Sequence, residues 1–167
     1  LMYYTDYNPN DSYGLRLDLN ELKVRIKCPD YPAHVNLSYW RYEKKGDKQL
    51  RFLNHRGTDS CTGCHVQSKS RPVDRVTEEI KASVDTHAGL FDFVVEGLYR
   101  VFRDHEDVPT DGFRLSSAYG RYHDDLPHDE DPESSLRETT FKVNTAPAGG
   151  LVGSASFTIG TRQNHSE

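Results

Sequence analysis

The chain has 167 residues, a length that suits one compact domain, and only 35% of them are hydrophobic while 28% are charged. The net charge is −5 at pH 7 and no stretch is strongly basic, so nucleic acid is not an expected partner. No apolar run approaches the roughly 20 residues of a membrane-spanning helix, although a β-barrel spans a membrane without one, and the many Tyr and Phe residues favour sheet over disorder.

The N-terminal part of the chain is predicted to form a strand that follows an irregular lead-in. Residues 1–12 are predicted to form a loose lead-in, and from Tyr13 to about Ile26 apolar residues alternate with charged ones. This period of two predicts a strand with one apolar face, and a change of phase at Asn20 indicates a bulge or a tight turn. Because the chain begins with Leu1 and shows no signal peptide, we expect a fragment whose signal peptide and downstream portion are missing.

A second strand follows a proline-rich break. The two prolines of the run 28–32 end the first strand, and alternation resumes at Val35. This strand finishes with a cluster of aromatic residues, Tyr39, Trp40 and Tyr42. In an outer-membrane barrel such a cluster suits the interfacial girdle, whereas in a soluble protein it would lie in the core or on the surface. Residues 44–47 are predicted to form a turn, from which 48–53 returns as a strand.

Residues 54–75 are predicted to form a long polar loop, and they contain Cys61-Thr62-Gly63-Cys64-His65. Cys-x-x-Cys-His is the attachment signature of a c-type haem, in which both thiols bond to the haem and the imidazole ligates the iron. The candidate site residues are therefore Cys61 and Cys64 for attachment and His65 as the axial ligand. The same cysteine pair also fits a plain disulfide in an oxidising compartment, and both interpretations stay open.

Other uses of the cysteine pair have less support. A zinc site would need a second Cys-x-x-Cys or a His-x-x-x-His, and a redox-active dithiol would need a helix start at the pair. A haem at this position would take a sixth ligand or leave the site open, and the candidates are Met2, His55, His87 and His105. Cys28 has no predicted partner.

The span 76–103 fits a helix and a strand equally well by periodicity. Residues 90–102 place apolar side chains on a helical stripe, but they also alternate as a strand would. Their Val, Phe and Tyr content favours strands, with a hairpin turn at His87-Ala88-Gly89.

The chain beyond Pro109 is predicted to be sheet. A short strand covers 113–122, an acidic loop covers 123–133, and two strands cover 136–145 and 151–159 with a turn between them. The acidic loop lacks the spaced oxygen ligands of a calcium loop, so we interpret it as solvated surface.

Strands of about ten residues with short turns and long polar loops are typical of a transmembrane barrel. The sequence therefore predicts an all-β fold in which antiparallel strands and hairpins over 13–167 form part of an outer-membrane barrel. Its charged residues would line a polar lumen, and its lipid-facing residues would include Leu15, Leu17, Leu37 and Phe157. No phosphate-binding, nucleophile-elbow or metalloprotease motif occurs, so an enzyme is not expected.

Several segments, taken in order, resemble one protein family. They are 34–44 (His-Val-Asn-Leu-Ser-Tyr-Trp-Arg-Tyr-Glu-Lys), 49–53, the Cys-x-x-Cys-His, 70–79 and 100–104. Together they resemble the N-terminal part of the decahaem-associated outer-membrane proteins of MtrB/PioB type, over roughly residues 13–165. The order of the pieces carries the resemblance, because no single piece is highly specific.

The resemblance implies a large antiparallel barrel in the bacterial outer membrane, surrounded by lipid. It implies a multihaem c-type cytochrome as the partner, sheathed by the barrel so that electrons pass from periplasm to cell surface. Family members carry a Cys-x-x-Cys near the N-terminus that is not generally a haem site, so the role of Cys61 and Cys64 stays open. The alternative is a small soluble periplasmic monohaem c-type cytochrome with helices at 76–103.

Overall fold

The protein is an all-β chain, as expected from the sequence. The computed structural model describes residues 3–6, 9, 12–54, 65–114, 122–129, 131–145 and 152–165. Within these ranges there is no helix, and hence none long and apolar enough to span a membrane. The strands are β1 (Tyr3–Asp6), β2 (Gly14–Lys27), β3 (Ala33–Asn54), β4 (His65–Ala88), β5 (Phe91–Asp104), β6 (Thr110–Arg114), β7 (Tyr122–Pro127), β8 (Glu133–Thr145) and β9 (Ser154–His165).

One large sheet contains seven of the nine strands. Its order is β2-β3-β4-β5-β8-β9, with β1 paired with β4 off this path. The pairs β5–β8 and β8–β9 are antiparallel, whereas β1 runs parallel to the first residues of β4. Strands β6 and β7 form a separate antiparallel pair. Over the described ranges, β2 and β9 are the two edges of the large sheet.

Two tight connections follow from their residues. Between β2 and β3, the backbone N–H of Cys28 donates to the carbonyl of Ala33 at 3.0 Å across the proline-containing turn. Between β4 and β5, only Gly89 and Leu90 lie outside the strands, and Gly89 has φ = 63°. Two-residue hairpin turns need positive φ at their first position, which glycine adopts without a steric penalty. The predicted hairpin is therefore confirmed, but its turn is at Gly89-Leu90, and the expected turn residues His87 and Ala88 are the end of β4.

The ambiguous span 76–103 is strand on both sides of that turn. It consists of most of β4 and β5, so the helices required by the soluble cytochrome alternative are not formed there. The span also fits a helical pattern because, in a run this rich in apolar residues, apolar side chains recur at helical spacing as well as at every second position. The preference for strands drawn from its Val, Phe and Tyr content is confirmed.

Several predicted boundaries were wrong. Residues 65–75, expected in the polar loop 54–75, are the first half of β4, while 55–64 lie outside the described residues. The expected turn at 44–47 is absent, because β3 continues through it with Gly46 at φ = 134°. A Cβ at Gly46 would overlap the carbonyl oxygen of Gly14, so glycine lets the strand pass this irregular point. The acidic loop expected at 123–133 is shorter, since β7 extends to Pro127.

The chain divides into two compact units. Unit 1 consists of Leu1–Leu17, Lys44–Arg75 and Asp104–Asp131, and unit 2 of Asp18–Glu43, Val76–Arg103 and Pro132–Glu167. Unit 1 contains the β6–β7 hairpin and the buried residues Gln67, Ser68 and Val73. Unit 2 contains segments of β2, β3, β4 and β5 together with all of β8 and β9.

Candidate functional site

The strongest candidate for a functional surface is one face of the sheet in unit 2. The register places Val95 opposite Phe141, and Phe141 opposite Phe157. Directly opposed residues of antiparallel strands lie on the same face of a sheet. The adjacent rungs on this face contain one wholly apolar set, Phe93, Val143 and Ala155, and one mixed set, Gly97, Thr139 and Ile159. We call this surface the apolar face.

The apolar face continues across β4, β3 and β2. Asp85 shows this, because its carboxylate meets His34 Nδ1 at 3.0 Å, Asn36 Nδ2 at 2.7 Å and Arg25 Nη2 at 3.6 Å. These four polar side chains therefore share the opposite surface, which we call the polar face. Since successive side chains point to opposite sides of a strand, the residues between them belong to the apolar face, namely Val24, Ile26, Val35, Leu37 and Val84.

Exposure on the two faces is the reverse of that in a soluble domain. On β5 the apolar-face residues Phe91, Phe93 and Val95 are exposed, whereas Asp92 and Glu96 on the polar face are half-buried. Phe157 and Ile159 on β9 are 63% and 61% exposed. Of the apolar side chains that the structure describes, only Val73 and Val76 are buried. A water-soluble domain buries its apolar face, and a contiguous exposed one marks an interaction surface.

The predicted lipid-facing residues fit this pattern. Leu37 and Phe157 lie on the apolar face of unit 2, and both are exposed. Leu15 and Leu17 belong to unit 1 and are exposed as well. Exposure of all four side chains agrees with the alternation from which they were chosen.

Aromatic and arginine side chains end the apolar face on the side away from the β4–β5 turn. The Arg137 guanidinium lies 5.4 Å from the centroid of the Tyr99 ring, a cation–π arrangement. The Tyr39 hydroxyl donates to Glu78 Oε1 at 2.8 Å, and Arg103 Nη1 is 2.9 Å from the other oxygen of Glu78. Amphipathic side chains of this kind are favoured at the boundary between an apolar phase and water.

The other two members of the aromatic cluster point the opposite way. Trp40 and Tyr42 alternate with Tyr39 on β3 and therefore lie on the polar face. Their rings are stacked, with centroids 6.0 Å apart and planes inclined by 4°. Of the three residues expected at an interfacial girdle, Tyr39 alone belongs to the apolar face.

The polar face of unit 2 is bound together by ion pairs between neighbouring strands. Arg100 Nε donates to Glu79 Oε2 at 2.8 Å, and Lys81 Nζ lies 3.8 Å from Glu79 and 4.0 Å from Glu96. His87 Nδ1 is 2.7 Å from Asp92 Oδ1 beside the β4–β5 turn. Charges of both signs thus alternate across this face, and it is suited to water or to a polar partner.

Unit 1 has a separate polar cluster that connects the β6–β7 pair to β4. Asp111 Oδ2 on β6 lies 2.7 Å from Lys69 Nζ and 2.6 Å from His128 Nε2. Lys69 also donates to the carbonyl of Thr110 at 3.2 Å, and the Phe52 and His128 rings pack in a T-shaped arrangement with centroids 4.9 Å apart. The cluster neutralises its own charges and ties β6 to β4.

The ammonium group of Lys48, in unit 1, has surroundings that disfavour its positive charge. Burial lowers its pKa, and the positive charges of Arg75 and Arg71 lower it further. Asp131 acts in the opposite direction but does not restore the ordinary value.

The haem-attachment candidates Cys61 and Cys64 lie outside the described residues. His65 is the first residue of β4, where its backbone pairs with Tyr3 of β1. Of the candidate sixth ligands, Met2 and His55 also lie outside. His87 contacts Asp92, and His105 Nδ1 is 3.7 Å from Asp74 Oδ1. Attachment of haem at this sequence therefore stays a prediction.

No metal centre is found in the part of the chain that the structure describes. No group of three or more His, Cys, Asp or Glu side chains there is arranged to hold a metal ion. Two side chains at the end of the acidic segment instead form ion pairs within unit 1, His128 with Asp111 and Asp131 with Arg75. Cys28 is a free, half-buried thiol.

The cluster of polar side chains around Asp85 was not predicted from the sequence. Its members come from three strands, and His34 and Asp85 are 51 residues apart along the chain. The sequence does show polar residues at every second position of these strands, but it does not show which of them come into contact.

Comparison of the chain with protein-family models, with curated proteins and with solved structures finds no match.

Proposed function

We propose that unit 2 is part of the wall of an outer-membrane β-barrel, with its apolar face against lipid and its polar face toward the lumen. The observation that carries this proposal is the exposure of the apolar face opposite a half-buried polar face. A bilayer supplies the apolar surroundings that water cannot, and barrel strands alternate apolar-out and polar-in for this reason.

The height of the apolar face supports the same proposal. On β5 it extends from Phe91 to Tyr99. Eight steps at about 3.4 Å per residue give roughly 27 Å along the strand. Tilted barrel strands of about 9–11 residues span a bilayer, so this stretch has the required length. Tyr99 and Tyr39 then lie where an interfacial girdle is expected.

The role of the barrel follows from the resemblance to the MtrB/PioB type. The lumen would hold a multihaem c-type cytochrome, and the barrel would insulate its haem chain from lipid while electrons cross the outer membrane. The chain would carry out no bond chemistry. The mixed charges of the polar face support such a use, because they present hydrogen-bonding groups of both kinds to a polar partner.

The cysteine pair has one of two roles in this proposal. Cys61 and Cys64 either attach one haem, with His65 as its ligand, or close a disulfide before β4. Haem staining of the wild-type chain and a Cys64→Ser variant on a denaturing gel distinguishes the two. Staining at the mass of this chain that the variant loses means covalent haem, and absence of staining in both leaves the disulfide.

Cell fractionation of the full-length gene product tests the location. We expect the protein in the outer-membrane fraction, resistant to carbonate extraction and changed in gel mobility by boiling. Recovery in the soluble periplasm would refute the barrel proposal and favour the small cytochrome instead.

A further inference from the structure

Arg137 on β8 is an exposed arginine on the apolar face of unit 2. In the register it lies between Tyr99 of β5 and Thr161 of β9. Its guanidinium is 5.4 Å from the centroid of the Tyr99 ring, and within the described ranges it forms no ion pair with a carboxylate. Arg103 at the same border differs, because Glu78 offsets its charge at 2.9 Å.

Uncharged hydrogen-bonding groups surround Arg137 on the same face. Thr161 is directly opposite it, and the next rung away from the β4–β5 turn pairs Ser135 with Gln163. Thr161 and Gln163 are exposed, and their side chains make no hydrogen bond in the part of the chain that the structure describes. We call Tyr99, Arg137, Thr161 and Gln163 the arginine patch. It combines one positive charge with two polar side chains that are available to a ligand.

The arginine patch lies at the depth of the lipid headgroups in the barrel proposal. Tyr99 ends the apolar stretch of β5 that begins at Phe91, about 27 Å away along the strand. The cost of placing an arginine against lipid is greatest at the bilayer midplane and becomes small near the interface. At this depth Arg137 can keep its guanidinium among the phosphate groups of the lipids, with its aliphatic stem against the apolar surface.

The lengths of the connections indicate which leaflet the patch meets. At the opposite end of unit 2, only two residues join β4 to β5. At the end with the patch, the chain leaves unit 2 for Lys44–Arg75 and again for Asp104–Asp131. Outer-membrane barrels have short turns on the periplasmic side and longer loops on the outside. In the barrel proposal the patch therefore meets the outer leaflet, where lipopolysaccharide carries phosphate groups on its lipid A sugars.

We infer that Arg137 binds a phosphate group of lipopolysaccharide, with Thr161 and Gln163 as further hydrogen-bond donors. A guanidinium presents a planar fork of N–H groups that matches two oxygens of a phosphate. Contact with the Tyr99 ring restricts this fork and so reduces the conformational freedom that is lost on binding. This assignment rests on the barrel proposal and adds to it the lipid that the border of the apolar face recognises.

Binding of lipid A to the purified full-length protein in a non-ionic detergent tests the inference, with bisphosphorylated and fully dephosphorylated lipid A as probes. The wild type is expected to bind the bisphosphorylated form more tightly. Arg137→Gln should weaken that binding by about tenfold, the effect of one lost charge-assisted hydrogen bond, and should leave binding of the dephosphorylated form unchanged. Arg162→Gln is the matched control, because Arg162 is an exposed arginine of β9 on the polar face, opposite Leu136.

Equal affinity of the wild type for the two forms of lipid A would overturn the inference, and so would equal losses in the Arg137 and Arg162 variants. Tighter binding of phosphatidylglycerol than of bisphosphorylated lipid A would overturn the assignment to the outer leaflet. If Arg137→Gln does not fold, Arg137→Lys decides in its place, because lysine keeps the charge but lacks the planar fork. We expect it to bind about threefold more weakly than the wild type, and unchanged affinity would count against the inference.

Failure of this inference and failure of the barrel proposal give different results. Recovery of the protein in the soluble periplasm would refute the barrel proposal, and the lipid assignment with it. An outer-membrane protein whose affinity for lipid A does not depend on Arg137 would refute the lipid assignment alone.

Discussion

At the scale of single residues, Asp85 joins three strands of unit 2. One carboxylate meets Arg25 from β2 and both His34 and Asn36 from β3. Hydrogen bonds to a charged group contribute more than neutral ones, and their loss leaves partly buried donors without an acceptor. One substitution at Asp85 therefore affects contacts with three strands.

Asp85→Ala is expected to lower the free energy of unfolding by about 1–3 kcal/mol, because His34 and Asn36 each lose a charged hydrogen-bond partner and Arg25 loses its ion pair. Asp92→Ala is the matched control, since its contact with His87 is exposed and such pairs contribute at most about 1 kcal/mol. The midpoint of denaturant unfolding measures both variants. Equal effects would mean that the Asp85 contacts contribute no more than a surface ion pair.

Lys48 gives a pH-dependent prediction. Its pKa is lowered in the folded protein, so its positive charge opposes folding at neutral pH. The penalty is present in full below the lowered folded pKa and disappears as pH rises toward the ordinary value of about 10.5. Lys48→Met should raise the melting temperature at pH 7, and this gain should shrink as the pH rises toward about 10.5.

The control for Lys48 is Lys45→Met. Lys45 is a lysine of the same strand that contacts Asp74 at 3.5 Å, so its loss should not stabilise unit 1. A higher melting temperature in both variants would point to a general effect of removing lysine.

At the scale of strands, β3 depends on one glycine. Gly46 has φ = 134° and lies against the carbonyl oxygen of Gly14. Residues with a Cβ atom rarely adopt this backbone conformation. At this position a Cβ would also overlap an atom of β2. The strand can continue through 44–47 only because of this residue.

Gly46→Ala is expected to destabilise unit 1 by about 1–3 kcal/mol, the usual cost of strained backbone. Gly14→Ala is the matched control, because a Cβ at Gly14 would have open space around it. Chemical denaturation monitored by circular dichroism compares the two. Similar stability of both variants would show that β2 and β3 can move apart at this point without cost.

The two faces of β8 give a test that depends on the barrel proposal. Phe141 lies on the apolar face and its neighbour Thr140 on the polar face, where its hydroxyl is 2.9 Å from that of Thr158. A lysine on a lipid face near the bilayer centre costs about 2–4 kcal/mol. Phe141→Lys should therefore reduce the carbonate-resistant fraction strongly, and Thr140→Lys should leave it nearly unchanged. Equal losses would contradict the assignment of faces.

Sequence alternation was enough to locate most strands but not their contacts. Val35, Leu37 and Phe157 could be assigned to one face because strands repeat every two residues. The start of β4 was missed because its polar residues follow a haem-like motif and give no apolar period. The Asp85 cluster depends on strand pairing over tens of residues, which one sequence does not specify.

At the scale of the molecule, the described part of the chain lacks the core of a soluble protein. Val73 and Val76 are its only buried apolar residues, while each strand of the large sheet in unit 2 presents apolar side chains outward. With water on both faces of the sheet, these apolar side chains would stay exposed, and they would contribute little hydrophobic stabilisation to folding. In the barrel proposal, lipid against the apolar face supplies this part of the stabilisation.

The single tryptophan reports on these surroundings. Trp40 lies on the polar face, so we expect iodide in water to quench its fluorescence and lipids with brominated chains to leave it unchanged. A Trp40→Phe, Val95→Trp double variant should reverse both responses, because Val95 lies on the apolar face. Quenching of Trp40 by brominated chains in the wild type would exchange the roles of the two faces.

The alternation of faces also restricts how such a chain can change over evolutionary time. Deleting one residue inside β5 would exchange the apolar and polar faces for every position between the deletion and the next turn. Losing two residues preserves the faces and shortens the strand by about 7 Å. Insertions and deletions within the strands should therefore be accepted in even numbers, while the connections between strands can vary in length by any number of residues.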